Sequence, residues 1–149
     1  MIEIYTDGGC IENPGGIGAW AFAVVKDRVL IHSAAGGEMV STNNRTELLA
    51  VISGMQWAMD NNIGPATVKT DSDLTVKCGN RQWKRRKNLD LWARFDKVNN
   101  FLFELKWIRG HNGSKWNEFV DQMCTQEMEK MLVNRKNAEF LALFDYEAV

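Results

Sequence analysis

No stretch of the 149 residues is strictly apolar for more than seven positions. That run, Ala19 to Val25, falls far short of the ~20 residues that a bilayer-spanning helix needs. The opening Met1-Ile2-Glu3-Ile4-Tyr5 lacks both the basic start and the apolar stretch of a signal peptide. Cysteine is scarce: Cys10, Cys78 and Cys124 are odd in number and carry no metal-type spacing. Low-complexity sequence and internal repeats are missing as well. These absences exclude a disulfide scaffold and a membrane partner, and they predict a reduced, cytoplasmic compartment. An excess of one charge is also lacking, because 18 Lys and Arg face 19 Asp and Glu for a net charge of −1. Taken alone, that balance argues against a nucleic-acid partner.

The average conceals a partition. Lys77, Arg81, Lys84, Arg85, Arg86 and Lys87 put six basic residues and no acidic one into positions 77–87. Elsewhere 12 basic residues stand against 19 acidic ones. A compact cationic segment therefore sits on an anionic chain. At 149 residues, 45% hydrophobic and 25% charged, that chain is one ordinary globular domain with enough length for a core.

Alternation of Ile2, Ile4 and Thr6 with Glu3, Tyr5 and Asp7 predicts a strand that ends at Gly8-Gly9. Residues 19–25 and 29–33 predict a hairpin around Lys26-Asp27-Arg28. Leu48, Val51, Ile52, Met55 and Met59 recur at helical spacing behind an N-cap at Asn43 or Asn44. A short strand over 66–70, helices over 73–79 and 89–100, a strand over 101–108 and a helix over 116–132 follow. The expected fold class is α/β, a five-stranded mixed sheet with three antiparallel strands and then two parallel ones, flanked by helices. We expect a catalytic domain over 1–132 and a C-terminal tail over 133–149 that could form a last helix. The tail either packs on its own domain or offers Phe140-Leu141-Ala142-Leu143-Phe144 to a protein partner.

Four carboxylates stand at informative places. Asp7 ends the first strand and Asp71 ends the fourth, positions that a turn-forming Asp and an N-cap would also occupy. Glu47 heads a core-facing stripe through Val51, Met55 and Ala58, or closes a capping box from Asn44. Asp121 lies mid-helix beside Asn117, Cys124 and Met128. If the sheet brings all four together, they repel unless protonated or bridged by a cation. Carboxylate oxygens suit hard divalent cations such as Mg²⁺, with Mn²⁺ an alternative. Two such ions can activate a water and stabilise a leaving oxygen in phosphodiester hydrolysis.

Five segments then resemble, in order, those of type 1 ribonuclease H. They are Thr6-Asp7-Gly8-Gly9-Cys10 with Asn13-Pro14-Gly15, Thr42 to Leu48, Thr70-Asp71-Ser72, Lys106 to His111, and Asn117 to Asp121. The resemblance implies the ribonuclease H-like fold, two metal ions per site and cleavage of the RNA strand of RNA–DNA hybrids, leaving 5′-phosphate and 3′-hydroxyl ends. It implies a monomer whose metal-holding catalytic quartet is Asp7, Glu47, Asp71 and Asp121, with His111 assisting proton transfer or product release. Cys10, Asn13, Asn43 and Asn44 match positions that read the minor groove and the 2′-OH, and Thr42 matches a phosphate contact. Trp83 matches an aromatic bordering the DNA strand, with Lys84, Arg85, Arg86 and Lys87 as its cationic companions. Gly9 replaces a common Ser, Asp73 replaces a frequent Gln, and the basic handle is shortened. A non-catalytic hybrid-binding module and a branched-DNA nuclease of the same broad fold are the competing readings.

Overall fold

The computed structural model describes residues 1–110 and 113–147. Its strands are β1 (Ile2–Cys10), β2 (Gly18–Lys26), β3 (Val29–Glu38), β4 (Ala66–Thr70) and β5 (Phe103–Trp107). The helices are α1 (Asn43–Asp60), α2 (Asp73–Gly79), α3 (Leu89–Val98) and α4 (Lys115–Glu147). The sheet order is β3-β2-β1-β4-β5. β1, β2 and β3 form an antiparallel meander, with a register shift between Val24 and Val25. β4 and β5 run parallel to β1 and to each other. The mixed sheet expected from the sequence is present.

Strand periodicity divides the core in two. Ile4, Phe22, Val24 and Val68 point to one face, where α1 and α3 cover them with Leu48, Val51, Ile52, Leu91 and Phe95. Tyr5, Ala21, Ala23 and Val25 point to the other, where Val120 and Cys124 of α4 cover them. A methyl at Gly54 of α1 would lie 2.7 Å from Ile4 Cγ2, so close packing of the helix on β1 needs a residue without a side chain there. Among the described residues no helix is long and apolar enough to cross a membrane, and all three cysteines are free thiols.

Local details depart from expectation. α1 is capped by Thr42, whose Oγ1 accepts from the Arg45 amide at 3.1 Å, rather than by Asn43 or Asn44. Glu47 therefore lies beyond the first turn and is in no capping box. Ser72, not Asp71, caps α2 by accepting from the Thr75 amide. β1 continues past Asp7 to Cys10 because β2 keeps pairing with it up to Gly18. The largest departure is α4, which runs unbroken across the expected boundary at 132/133. No Gly or Pro occurs between Lys115 and Glu147 to stop it. The tail does not pack on its own domain, and its side chains from Val133 to Asp145 are exposed.

Candidate active site

Register brings the first two carboxylates together. β1 and β4 are parallel neighbours with Tyr5 opposite Lys69, so Asp7 and Asp71 each stand two residues further on, at the same end of the sheet. Thr6 Oγ1 reinforces the pairing by donating to the Lys69 carbonyl at 2.8 Å. In such sheets the chemistry gathers beyond the carboxyl ends of the strands.

Glu47 arrives from above because β1 can approach the start of α1 at Gly8. A Cβ on Gly8 would lie 2.5 Å from the Glu47 amide nitrogen and from the Thr46 carbonyl carbon. Both obstacles are backbone and cannot swing aside. Gly8→Ala is therefore expected to push α1 off the strand and separate Glu47 from Asp7. We expect at least about tenfold loss of hydrolysis and roughly 1–3 kcal/mol of destabilisation, read by single-turnover kinetics and urea melts. A wild-type rate from the variant would show that this approach does not set the site.

Asp121 comes from α4, one turn before Cys124, and its charge bears on Asp7 across the cleft. Asp7, Glu47, Asp71 and Asp121 line one cleft of about 130 Å³, joined by Gly8, Asn117 and Glu118. One ligand oxygen from each of Asp7, Glu47 and Asp71 lies within 4.8 Å of the others. All four expected carboxylates thus converge.

The electrostatic cost is visible. Burial, then the charges of Asp71 and Asp121, push Asp7 up to about 8. Burial and the charges of Asp7 and Asp71 hold Glu47 well above the usual carboxylate range. Glu47 Oε2 is buried without a hydrogen-bond partner among the described residues. A buried acceptor left unpaired is costly, and a bound cation would satisfy it while removing the repulsion. The donor set, oxygen only and anionic, fits a hard divalent ion. Burial and the same four carboxylates raise the Cys124 thiol, which donates to the Asp7 carbonyl at 3.2 Å. It is a structural prop, not a nucleophile.

The loop after β5 passes close to the cleft. A Cβ on Gly110 would lie 2.9 Å from Asp71 Oδ2, and Trp107 Nε1 donates to the Asp71 carbonyl at 3.1 Å. His111 lies outside the described residues.

A second, larger groove of about 530 Å³ brings Asn13, Thr42, Asn44, Lys84, Arg86 and Lys87 together. Asn43 stands beside it, its amide donating to Asn13 Oδ1 at 3.0 Å. Cys10 turns inward, its thiol donating to the Gly16 and Ser41 carbonyls and bracing the turn that carries Asn13. Arg45 locks the groove's two sides, reaching Glu38 at 2.8 Å and Asp90 at 3.0 and 2.8 Å. Trp83 is half exposed, with Lys77 Nζ 4.4 Å from its ring centroid.

The cationic segment is less uniform than its sequence. Arg85 does not face outward with its neighbours. Its guanidinium donates to the Cys78 carbonyl at 3.0 Å and to both oxygens of Asp96, and it covers Trp92 at 4.3 Å. Arg81 shares Asp96, and Lys77 pairs with Asp73 at 3.1 Å. Among the described residues, Lys84, Arg86 and Lys87 form no such ion pair. Half of the basic run is internally neutralised and the other half lines the groove.

Gly8, Arg45, Asn117 and Glu118 were not singled out as site residues from sequence. For Asn117 the available signals were its i, i+4 spacing to Asp121 and its place at the head of the matching segment Asn117 to Asp121. Arg45 and Glu118 fall inside the matching segments Thr42 to Leu48 and Asn117 to Asp121, but no local spacing set them apart, because their roles depend on contacts between distant segments.

The sequence matches the family model for RNase H over residues 1–129. It is 34% identical to a ribonuclease H of Campylobacter jejuni, an alignment covering 93% of this chain and 97% of that one. It is 36% identical to a ribonuclease H of Pseudomonas entomophila, covering 90% and 97%. Among solved structures, the N-terminal RNase H domain of a Mycobacterium tuberculosis protein superposes with a TM-score of 0.80 at 19% identity, covering 90% of this chain and 97% of that one. LC11-RNase H1 in complex with an RNA/DNA hybrid gives 0.76 at 19% identity, covering 89% and 99%.

Proposed function

The chain belongs to the ribonuclease H family, and from that membership we propose that this enzyme hydrolyses the RNA strand of RNA–DNA hybrids, leaving 5′-phosphate and 3′-hydroxyl ends. Asp7, Glu47, Asp71 and Asp121 would hold two divalent cations, Mg²⁺ or Mn²⁺. When bound, the cations supply the positive charge that activates a water and stabilises the leaving oxygen. One observation carries the reading: carboxylates from three separate segments converge within 4.8 Å, and one of their oxygens is buried and unpartnered.

The chain's own groups do the rest. Asn13 and Asn44 can both donate and accept, which suits a ribose 2′-OH at the groove wall. Thr42, with Lys84, Arg86 and Lys87, offers a hydroxyl and three cations to phosphates along the same groove. Trp83 borders the path with an exposed aromatic face. His111 keeps the proton-transfer or product-release role that the family resemblance gives it. Free thiols throughout suit a reducing, cytoplasmic setting.

The direct test is cleavage of a labelled RNA–DNA hybrid beside RNA-duplex and DNA-duplex controls, with Mg²⁺, Mn²⁺ or EDTA. We expect hybrid-only, cation-dependent cleavage; activity undiminished by EDTA would overturn the proposal. A second test divides the basic segment. Each of Lys84→Ala, Arg86→Ala and Lys87→Ala should lower the salt slope of hybrid binding by about 0.7–0.9 if it removes one phosphate contact. Arg85→Ala should leave the slope unchanged and lower the melting temperature instead, because it uncovers Trp92 and orphans Asp96.

A further inference from the structure

The groove that holds Asn13 and the free cations has two walls from distant parts of the chain. Asn13, Thr42 and Asn44 stand on one, and Lys84, Arg86 and Lys87 stand on the other. The second wall belongs to the segment 80–88 between α2 and α3, which has neither helix nor strand to stiffen it. That segment leaves the groove through a sharp turn at Asn88, whose φ of 56° is left-handed, a conformation that Asn tolerates better than most residues. Asn88 is the N-cap of α3 but makes no side-chain capping bond. Its Oδ1 accepts instead from Arg45 Nη1 at 3.4 Å.

Arg45 does not line the groove, and neither do Glu38 and Asp90. The Arg45 guanidinium works from behind it. Nε donates to Glu38 Oε1 at the end of β3, while Nη1 and Nη2 donate to the two oxygens of Asp90 in the first turn of α3. Glu38 Oε1 also accepts from Ser41 Oγ at 2.9 Å. The Ser41 backbone in turn accepts from Gly15 and donates to Gly16, both at 2.8 Å, in the turn that carries Asn13. One guanidinium therefore ties the first wall to the second. Among the described residues no other hydrogen bond or ion pair joins the two walls. Beneath them Leu48 of α1 and Trp92 of α3 share the core and floor the groove, so the fold does not depend on the tie above.

We propose that the Glu38–Arg45–Asp90 triad is a strut that sets the distance between the two walls, which makes Arg45 and Asp90 positioning residues for selectivity towards the hybrid. The inference rests on the functional reading above. Phosphate attraction alone is indifferent to wall spacing, because each cation finds a backbone on any duplex. Hydroxyl-reading groups on one wall and cations on the other engage one hybrid together only when the spacing matches it. A bidentate guanidinium–carboxylate pair fixes direction as well as distance. Lysine keeps the charge but has no planar fork to hold Glu38 and Asp90 at once. The sign of the effect separates a strut from plain charge. An acid beside a nucleic-acid groove repels phosphate, so by charge alone the loss of Asp90 would tighten every duplex. Loss of a strut weakens the hybrid.

Fluorescence anisotropy of a labelled hybrid and of a DNA duplex of the same sequence, both in EDTA, tests this beside cleavage kinetics in Mg²⁺. Asp90→Ala should weaken hybrid binding at least about fivefold, while DNA-duplex binding stays level or tightens. Arg45→Lys leaves the net charge unchanged and should lower the preference for the hybrid at least about threefold. In both variants the loss should fall on KM, with the saturating rate within about twofold of wild type. The double variant should bind no more weakly than the weaker single one, because both substitutions break the same strut. Hybrid binding that Asp90→Ala tightens or leaves unchanged, equal weakening on both duplexes, or additive losses would each overturn the proposal. A wild-type chain with no preference for the hybrid would overturn the functional reading, and the strut's role with it.

Discussion

Asp7→Asn should reduce hybrid hydrolysis by about three orders of magnitude or more, while hybrid binding measured in EDTA stays within about twofold of wild type. Asp7 is the hub of the cleft: its ligand oxygen lies within 4.8 Å of those of Glu47 and Asp71, and the charges of Asp71 and Asp121 both bear on it. Asparagine keeps the shape and one acceptor, but it loses the negative charge and turns an NH₂ towards the other carboxylates. The groove holding Asn13, Asn44 and the free cations is a separate surface and should be untouched. Single-turnover cleavage and fluorescence anisotropy on the same labelled hybrid separate the two effects. A variant that cleaves at the wild-type rate would remove Asp7 from the mechanism. Equal loss of binding and cleavage would instead show that the substitution damaged the fold.

The cation-free protein should lose stability as pH rises from about 5 to 8.5. The sign follows from Asp7, whose pKa is about 8 in the folded chain against an ordinary value of 3.8. The folded state therefore keeps a proton that the unfolded state has already released. That contribution is fully present below about pH 4 and is lost as pH climbs through 8. Glu47 shifts in the same direction. Asp90, lowered by its hydrogen bonds to Arg45, has the opposite dependence, but it is lost only at acid pH. We expect the melting temperature in EDTA to fall on the order of 5–10 °C across this window for a chain of this size. Millimolar Mg²⁺ or Mn²⁺ should restore it at pH 8.5 and do little at pH 5, because cations bind the ionised carboxylates. Asp7→Asn should flatten the pH dependence and raise the melting temperature of the cation-free protein at pH 8.5. A flat profile in the wild type would mean that the carboxylates are not strained by their proximity.

Both results depend on convergence, and the residues differ in how far convergence could be read in advance. Asp7 and Asp71 were legible as strand-end carboxylates because period-2 alternation marks where β1 and β4 run. Glu47 was legible as a charge heading an apolar stripe, yet its alternative role in a capping box dissolved only when Thr42 proved to be the cap. Asp121 had no local distinction from any solvated helix residue, and the matching motif order singled it out. The basic segment was misleading in one respect. Six cations in eleven positions look alike in sequence, but Arg85 turns in to Asp96 and Trp92 while Arg86 and Lys87 turn out to the groove. That choice depends on an acid in α3 and a ring one turn away, which spacing within the segment cannot express.

The sequence by itself determined the α/β class, the order of the elements, the family and the identity of the four acids, because each is written in local periodicity or in short ordered motifs. It also determined that α4 could run on, since nothing between Lys115 and Glu147 breaks a helix. Only the tertiary structure decided that Glu47 Oε2 is buried and unpaired, that Gly8 is the gap through which α1 meets β1, and that Arg45 ties Glu38 to Asp90. Those facts are distances between segments far apart in the chain. The near-neutral charge of −1 sums over all of them, and a sum carries no information about which charges meet.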